Sequence, residues 1–467
     1  MITSPATVRP LASVNPATGL PIEEFSPLAP EAVAAAIASA DGAQRDWARR
    51  SVAQRAGVLR RLAEELKGSA DQLAGVVTRE MGKPISEARA EIDKCAGACE
   101  TFSQRGPGWL ADLPLASDSD RSFVAFAPLG LVFAIMPWNY PVWQVIRAAG
   151  PALLAGNALL LKHAPSVTRC GLEIEALMHR AGVPPGVFTT LLITESQAEA
   201  VIADPRVRAV TLTGSDRAGS QVAAIAGAHL KKTVLELGGS DVFIVLDDAD
   251  LERAVPMAVR ARFQNAGQTC IAAKRFLVLD AVAERFEAGL RDAVAALRVG
   301  DPTDPATEIG PLARQDLRDN LDRQVRESVA RGATVRCGGR PGDGPGYYYA
   351  PTVLGDVTPE MPVFREETFG PVAAVTRVAD EEQAVRLAND SPYGLGGNIW
   401  TRDLERGVRL ARRLETGGVF VNGMTHSDPR IPFGGVKRSG YGRELSQFGI
   451  HEMVNIQTIW LPESPGS

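Results

Sequence analysis

From Ser122 onward, the chain alternates short β-rich runs with stretches of helical periodicity. The runs FVAFAPLGLVFAIM, NALLLK, GVFTTLLI and AVTLTG are each followed by a helix-like segment. Short apolar or alternating runs favour strands, whereas apolar residues at three- and four-residue spacing favour amphipathic helices. Strands that alternate with helices predict a parallel sheet with helices on its faces. The pattern therefore indicates the α/β class.

Two further stretches extend this organisation. Residues 30–104 repeat apolar positions at helical spacing, as in AGVLRRLAEELKGSADQLAGVVTREM, and predict amphipathic helices. After Lys231 a second series of β-rich runs begins, comprising TVLELGG, VFIVLD, RFLVLD, PTVLGDV and GGVFVN. Val454 to Leu461 alternates like a strand able to pair with another segment or another subunit. With 467 residues, the chain is long enough for more than one structural unit.

Charge and hydropathy argue against two kinds of partner. The formal net charge is −5 and Lys and Arg are scattered, so we expect no nucleic-acid partner. The longest apolar stretch, Leu129 to Trp138, is too short for a membrane span of about 20 residues and predicts a buried strand. The N-terminal residues lack the pattern of a signal peptide. We therefore expect a cytoplasmic protein without a membrane partner.

Five cysteines are spread along the chain without the paired spacing of a metal site, so we expect no metal. Their odd number suits a reducing compartment, in which a single thiol can be reactive. Cys95 and Cys99 are four residues apart on one predicted helix and share a face, which favours a packing role.

The segment LTGSDRAG, Leu212 to Gly219, places a glycine turn between a β-rich run and a helix that begins at Asp216. Such a turn presents free backbone N–H groups and the positive end of a helix to a phosphate. The usual dinucleotide fingerprint, G-x-G-x-x-G, is missing here. On its own, the segment fits either a phosphate site or an ordinary helix cap.

Two other segments carry groups suited to covalent catalysis. FQNAGQTC ends in Cys270 after a glycine-bearing turn, and a thiolate there can act as a nucleophile if positive charge lowers its pKa. A buried structural cysteine is the alternative. LELGG places Glu236 at the end of an apolar strand, where burial would raise the carboxyl pKa to suit a general base. An ion pair is an equally good interpretation of Glu236.

The order of the motifs decides between these alternatives. MPWNYP, LLLKHAPS, LTGS, LELGG, GQTC, EETFGPV and PFGGVKRSGYGRE follow one another between Met136 and Glu444. In this set and order the chain resembles the aldehyde dehydrogenase superfamily, nearly from end to end. The resemblance implies NAD(P)-dependent oxidation of an aldehyde to a carboxylic acid. It also implies an atypical Rossmann cofactor domain, an α/β catalytic domain and a β-flap for oligomerisation.

Mapped onto this chain, the resemblance implies a discontinuous dinucleotide-binding domain of residues 1–111 and 127–235. Residues 236–445 would form the catalytic domain. Residues 112–126 and 446–467 would form a bridging segment through which copies of the chain associate. We therefore expect a homodimer or a homotetramer.

The resemblance also assigns the catalytic groups. Cys270 is the nucleophile that forms a thioester, and Glu236 is the general base that activates water to cleave it. Asn139 and the backbone N–H of Cys270 form the oxyanion hole. An amide suits that task because it donates without titrating, while the aldehyde oxygen gains negative charge as sulfur attacks.

For the cofactor, the resemblance implies a cleft lined by Pro137, Trp138, Lys162, Pro165, Gly214, Ser215, Glu367 and Phe369. Lys162 is directed to the adenosine ribose, Ser215 to the pyrophosphate and Glu367 to the nicotinamide ribose. Many NAD-preferring relatives carry, three residues after the lysine, a glutamate that repels a 2′-phosphate, and here that position is Pro165. No other Lys or Arg is evident for a 2′-phosphate. We therefore expect NAD as the cofactor, with NADP as an alternative.

Within the superfamily, the segments around Asn139, Cys270 and Glu444 most resemble bacterial succinate-semialdehyde dehydrogenases. In that subgroup an arginine and a serine hold the distal carboxylate of the substrate, and Arg147 and Ser427 match them. The resemblance adds Trp143 as a wall of the substrate site and Thr269 next to the nucleophile. An arginine suits the task because its planar fork binds a carboxylate bidentately. The alternative for Arg147 is a structural ion pair at the helix surface.

Other functions stay open at this point. The substrate is alternatively another acidic or aliphatic aldehyde, such as glutarate semialdehyde, because one methylene changes selectivity by only about 1 to 3 kcal/mol. A CoA-acylating relative would share Cys270 but commonly lacks the glutamate found here as Glu236. A catalytically silent, crystallin-like member would have lost parts of the catalytic set, whereas Asn139, Glu236, Cys270 and Glu367 are all present.

Overall fold

The computed structural model describes residues 10–118 and 121–462. Residues 1–9, 119–120 and 463–467 belong to the expected cofactor domain and bridging segment, and they lie outside the described residues. Within the described ranges, no helix is both long and apolar enough to cross a bilayer.

An antiparallel strand pair and four helices come first in the described chain. These elements are β1 (Leu11–Val14), β2 (Pro21–Phe25), α1 (Pro30–Ala48), α2 (Val52–Gly68), α3 (Ala70–Met81) and α4 (Ile85–Trp109). The apolar spacing that predicts these helices is the spacing of their buried faces, as Leu59, Leu62 and Leu66 of α2 show. At the start of α2, Ser51 and Gln54 form a reciprocal capping box. The predicted amphipathic helices are confirmed.

The next stretch alternates strands and helices, as predicted. It contains β3 (Leu113–Leu115), β4 (Arg121–Pro128), β5 (Leu131–Met136), α5 (Trp143–Ala155), β6 (Ala158–His163), α6 (Thr168–Arg180), β7 (Phe188–Thr190), α7 (Glu195–Ala203), β8 (Val207–Thr213), α8 (Asp216–Ala228) and β9 (Lys232–Glu236). A 3₁₀ turn at Pro165–Val167 separates β6 from α6.

The second series of strands follows. Its elements are β10 (Asp241–Val245), α9 (Leu251–Phe263), β11 (Ala273–Leu279), α10 (Asp280–Ala295), α11 (Gln315–Ala330), β12 (Thr334–Cys337), β13 (Thr352–Gly355), α12 (Pro362–Arg365), β14 (Val372–Val378), α13 (Glu381–Asn389), β15 (Tyr393–Gly394), β16 (Gly396–Trp400), α14 (Leu404–Ala411) and β17 (Gly418–Val421). The described chain closes with β18 (Val436–Lys437), β19 (Gly440–Tyr441), α15 (Ser446–Glu452) and β20 (Val454–Leu461).

Two mainly parallel sheets carry the fold. In the first, the strands lie in the order β19-β9-β8-β5-β6-β7, all parallel except β19, which runs antiparallel to β9 with Gly440 opposite Glu236. In the second, the order is β12-β13-β14-β11-β10-β16-β17, with β12 antiparallel. Each sheet packs within its own apolar core. The expected α/β fold with parallel sheets is confirmed.

A third, antiparallel sheet has the order β20-β4-β3. Val454 lies opposite Pro128 and Leu461 opposite Arg121, so β20 pairs with β4 along its whole length. The predicted strand from Val454 to Leu461 is confirmed, and its partner is a segment of the same chain. Its other edge has no strand partner in the described chain.

Candidate active site

The strands of the first sheet deliver the expected cofactor residues at their carboxyl ends. Pro137 and Trp138 follow β5, Lys162 is the penultimate residue of β6, and Gly214 and Ser215 follow β8. Because the carboxyl ends of parallel strands meet at one edge of a sheet, these residues share that edge. It is the edge at which open α/β sheets bind ligands.

One part of this edge suits a diphosphate. Ser215 is the N-cap of α8, and its Oγ accepts a hydrogen bond from the backbone N of Ala218 at 3.2 Å. The other N–H groups of this first turn present partial positive charge. Lys162 is buried, and desolvation lowers its pKa. A lysine and a helix N-terminus on one sheet edge fit the ribose and pyrophosphate of a dinucleotide.

The other part is built around Glu367. Its Oε1 accepts a hydrogen bond from Gly239 N at 2.9 Å and lies 3.5 Å from the ammonium of Lys274. A Cβ on Gly238 would lie 2.5 Å from Glu367 Oε2, so a side chain at this position would displace the carboxylate. The rings of Trp138 and Phe369 meet edge to face, with 5.7 Å between their centroids. A fixed carboxylate beside two aromatic rings fits a ribose hydroxyl pair and a nicotinamide ring.

The turn before Cys270 has an unusual backbone. Asn265, Ala266 and Gly267 have φ angles of 58°, 51° and 73°, in the left-handed region that residues other than glycine rarely adopt. Such a conformation persists only where neighbouring groups hold it. One such group is Glu87 of α4, whose Oε2 accepts a hydrogen bond from Asn265 N at 2.8 Å.

Asn139 is tied to the same turn. Its backbone oxygen accepts a hydrogen bond from Asn265 Nδ2 at 2.9 Å, and its own Nδ2 donates to Gln268 O at 3.0 Å. The side chain is buried and retains a second N–H. The amide of Asn139 is therefore fixed against the turn that carries Cys270, as an oxyanion-hole residue requires.

Cys270 lies partly exposed on a cavity wall. Desolvation raises the pKa of its thiol to about 12, although the positive charges of Arg147 and Lys274 lower it. The thiol is therefore protonated at neutral pH, and a base must accept its proton before sulfur attacks.

Glu236 supplies a candidate base. It is buried at the end of β9, and its pKa lies well above the ordinary value because of burial and the nearby negative charge of Glu444. Arg147 and Arg443 oppose this shift. Neither carboxylate oxygen has a hydrogen-bond partner within the described chain. A buried carboxyl group with a raised pKa is a competent proton acceptor near neutral pH.

Arg147 forms an ion pair with Glu444, and the two side chains are only 2% and 3% exposed. Its Nη2 also donates to Thr213 Oγ1 at 3.3 Å, and its guanidinium lies 4.8 Å from the ring centroid of Phe433. An ion pair is the alternative to a substrate role that the sequence left open for Arg147. The pair lies in the protein interior instead of at the helix surface. A guanidinium already paired with a carboxylate is less available to the carboxylate of a substrate, so the geometry weakens the expected substrate role.

A cavity of 980 Å³ brings the nucleophile together with every expected substrate residue. Its walls include Cys270, Trp143, Arg147, Thr269 and Ser427. Trp143 and Ser427 are buried, and Thr269 Oγ1 lies 3.1 Å from the hydroxyl of Tyr140. Cys270 and these four residues therefore face one common space.

One face of α4, which the motifs do not assign to the site, organises this cavity. Glu87 and Glu91, four residues apart, bind different parts of the site. Glu87 holds the turn before Cys270. Glu91 Oε1 accepts hydrogen bonds from the backbone N–H groups of Val142 and Trp143, both at 2.9 Å, at the start of α5.

Lys94 continues the same face and was not among the expected site residues. It lines the cavity, donates from Nζ to Ser427 Oγ at 2.6 Å, and lies 4.2 Å from the ring centroid of Trp143. A signal was available in the seven-residue spacing from Glu87 to Lys94, which puts three charged side chains on one face of α4.

The remaining cysteines do not contribute to the site. Cys95, Cys99 and Cys170 are buried in the first core, where desolvation raises the pKa of each thiol. This agrees with a packing role for Cys95 and Cys99. Among the residues that the structure describes, no group of three or more His, Cys, Asp or Glu side chains is arranged to hold a metal ion.

Comparison with known proteins shows similarity along nearly the whole chain. The sequence profile of the aldehyde dehydrogenase family matches residues 2–459. A protein from Escherichia coli, whose name gives it as a succinate semialdehyde dehydrogenase that uses NAD(P)+, is 49% identical over 448 residues. These residues cover 96% of this chain and 97% of that protein. A protein from Mycobacterium avium, whose name gives it as a succinate-semialdehyde dehydrogenase that uses NADP(+), is 48% identical over 459 residues. These residues cover 97% of this chain and 97% of that protein. The crystal structure of succinic semialdehyde dehydrogenase from Streptococcus pyogenes, in complex with NADP+, has a TM-score of 0.94 at 37% identity and covers 97% of this chain and 99% of that one.

Proposed function

The chain belongs to the aldehyde dehydrogenase family, and we propose that it oxidises succinate semialdehyde to succinate with NAD(P)+. Relatives close to half identical carry this activity in their names. The structural observation that carries the proposal is the common cavity. There the thiol of Cys270 shares one space with Lys94, Arg147 and Ser427, groups able to hold a carboxylate.

In the first step, water in the cavity accepts the proton of the Cys270 thiol, and the sulfur attacks the aldehyde carbon. The carbon–oxygen double bond opens, and the oxygen becomes negative. Asn139 Nδ2 and the backbone N–H of Cys270 donate to this oxygen, each lowering the barrier by roughly 3 kcal/mol. Asn139 is fixed by Asn265 and Gln268, so its amide needs no reorganisation when charge develops.

In the second step, the carbon loses a hydride and an acyl thioester on Cys270 remains. When bound, NAD(P)+ supplies the acceptor for that hydride. Trp138, Phe369 and Glu367 would hold the nicotinamide end, while Lys162 and Ser215 would hold the adenosine ribose and the pyrophosphate, with Pro137, Pro165 and Gly214 lining the cleft.

In the third step, water cleaves the thioester. Glu236 accepts a proton from the water as its oxygen attacks the acyl carbon, the carbon–sulfur bond breaks, and the thiolate of Cys270 leaves. The raised pKa of Glu236 supports this role because a carboxylate of ordinary pKa is a weak base toward water. The acid then leaves the cavity.

The exposed sheet supports association of copies of the chain into a homodimer or homotetramer. Ile456 and Trp460 on β20 are 58% and 56% exposed, and Leu113 and Leu115 on β3 are about half exposed. Such an apolar strand edge is a typical surface for pairing. Light scattering coupled to gel filtration measures the oligomeric state. We also propose that the enzyme acts in the cytoplasm and that residues 112–126 and 446–467 form the bridging segment through which copies of the chain associate.

A panel of aldehydes tests the proposed function. Succinate semialdehyde, glutarate semialdehyde and butanal are each assayed with NAD+ and with NADP+ by the absorbance of the reduced cofactor. We expect the highest kcat/KM for succinate semialdehyde, and a higher value with NAD+ because no second cation beside Lys162 is evident for a 2′-phosphate. A higher value with NADP+ would show that Lys162 binds that phosphate. Equal values for butanal and the semialdehyde would refute the proposed substrate.

A further inference from the structure

Lys94 is a cation in the cavity without a carboxylate partner. Within residues 10–118 and 121–462, no Asp or Glu oxygen lies within 4.0 Å of its Nζ. Its neighbours are the hydroxyl of Ser427 and the ring of Trp143. An ammonium in such a place keeps N–H donors available for an anion in the cavity.

Two other cations line the cavity, and both are less suited to bind a substrate carboxylate. Arg147 is already paired with Glu444 in the protein interior. Arg260 is on α9 and is exposed to solvent, where a single ion pair contributes little. Lys94 is partly buried, so its interaction with an anion is screened less by water.

We infer that Lys94 and Ser427 together bind the distal carboxylate of the semialdehyde. This inference rests on the proposed function and names the residues that select for an acidic aldehyde. Lys94 Nζ already donates to Ser427 Oγ, which leaves the serine hydroxyl hydrogen free to donate to the same carboxylate. The face of Trp143 beside Lys94 supports the charged form of the lysine.

The electrostatic environment of the Lys94 ammonium supports this assignment. Desolvation and the positive charge of Arg147 lower the pKa of Lys94 to about 8. A bound carboxylate would offset the desolvation and the repulsion from Arg147, because it places a negative charge next to the ammonium. The cavity therefore favours an aldehyde with an anionic end over a neutral aldehyde of the same length.

Four variants test the inference in the whole enzyme, with kcat and KM measured for succinate semialdehyde and for butanal. Lys94→Met keeps an unbranched stem and removes the charge, while Lys94→Arg keeps a charge. Ser427→Ala removes the neutral donor. Arg260→Met is the matched control, since it removes another cation of the same cavity. Thermal melting establishes whether each variant folds.

We expect Lys94→Met to lower kcat/KM for succinate semialdehyde roughly 10- to 150-fold, chiefly through KM, and to change butanal oxidation far less. Lys94→Arg should keep most of the preference, and Ser427→Ala should lose a smaller part of it. Arg260→Met should behave as the wild type.

The possible failures are distinguishable. If the wild-type enzyme prefers succinate semialdehyde and Lys94→Met keeps that preference, the inference about Lys94 is overturned and the proposed function stands. Equal losses for both aldehydes in Lys94→Met also overturn it, because they show a structural role. If Lys94→Met does not fold, an unchanged preference in Ser427→Ala contradicts the inference, whereas a selective loss supports it. A wild type without preference between the two aldehydes overturns the proposed function as well.

Discussion

The guanidinium of Arg147 and the carboxylate of Glu444 form an ion pair inside the protein, between α5 and the segment that follows β19. Glu444 in turn raises the pKa of Glu236, while Arg147 lowers it. Removing either partner leaves an uncompensated charge next to the candidate base. The pair therefore links the stability of the fold to the chemistry of the site.

Arg147→Met should destabilise the protein by about 3 to 5 kcal/mol, because it leaves Glu444 buried without its partner. The midpoint of urea unfolding measures this loss. Since the ion pair serves the whole site, oxidation of succinate semialdehyde and of butanal should slow to a similar extent. A selective loss for the semialdehyde would return Arg147 to the substrate role expected from the sequence.

Cys270→Ala should abolish dehydrogenase turnover and leave cofactor binding nearly intact, because the expected cofactor residues belong to other segments. Steady-state absorbance at saturating aldehyde measures turnover, and quenching of intrinsic fluorescence measures binding of NAD+. Cys99→Ala is a matched control, since this buried thiol lies outside the cavity. Turnover retained without Cys270 would contradict the thioester mechanism.

Glu236→Gln should slow thioester hydrolysis more than hydride transfer, since only water activation needs a base of raised pKa. Rapid mixing should then show a burst of reduced cofactor followed by slow turnover. The burst amplitude reports the fraction of acylated Cys270. An unchanged steady-state rate in this variant would remove Glu236 from the mechanism.

The preference for an acidic aldehyde should fall as pH rises through about 8. Lys94 is charged below this pKa and neutral above it, so kcat/KM for succinate semialdehyde relative to butanal should be constant below pH 7 and decline above pH 8. The groups that act on Lys94 are Arg147, Cys95, Glu91 and Cys270. Ionisation of Cys270 affects both aldehydes, so the ratio isolates Lys94. A ratio independent of pH would count against Lys94 as the anchor.

Much of the architecture follows from local pattern. Continuous apolar runs such as those of β5 and β6 predict buried parallel strands, and both strands are found where they are expected. β14 and β16 were not predicted, although each is buried. The run GGNIW of β16 carries glycines and an asparagine, and its asparagine is paired inside the sheet, with Val242 O and with Thr425 N. Such long-range pairing has no local signal.

The same limit applies to the site. Motif order points to Cys270, Glu236 and Asn139, and the structure sets each in an environment suited to its expected role. The partner of Arg147 could not be read from the sequence, because Glu444 is 297 positions away and meets it only in the fold. Lys94 was missed for a similar reason, since its role depends on Ser427, 333 residues later.

The pairing of β19 with β9 has a consequence for how the enzyme matures. Gly440 lies opposite Glu236, so the sheet edge that carries the candidate base is completed by residues made late in translation. N-terminal units generally fold first as a chain emerges from the ribosome. A nascent chain long enough to assemble β5 to β9 would hold Glu236 at an open edge, without Glu444 or β19 beside it. The part of the cofactor cleft that carries Lys162 and Ser215 is therefore made before the surroundings of the candidate base are complete.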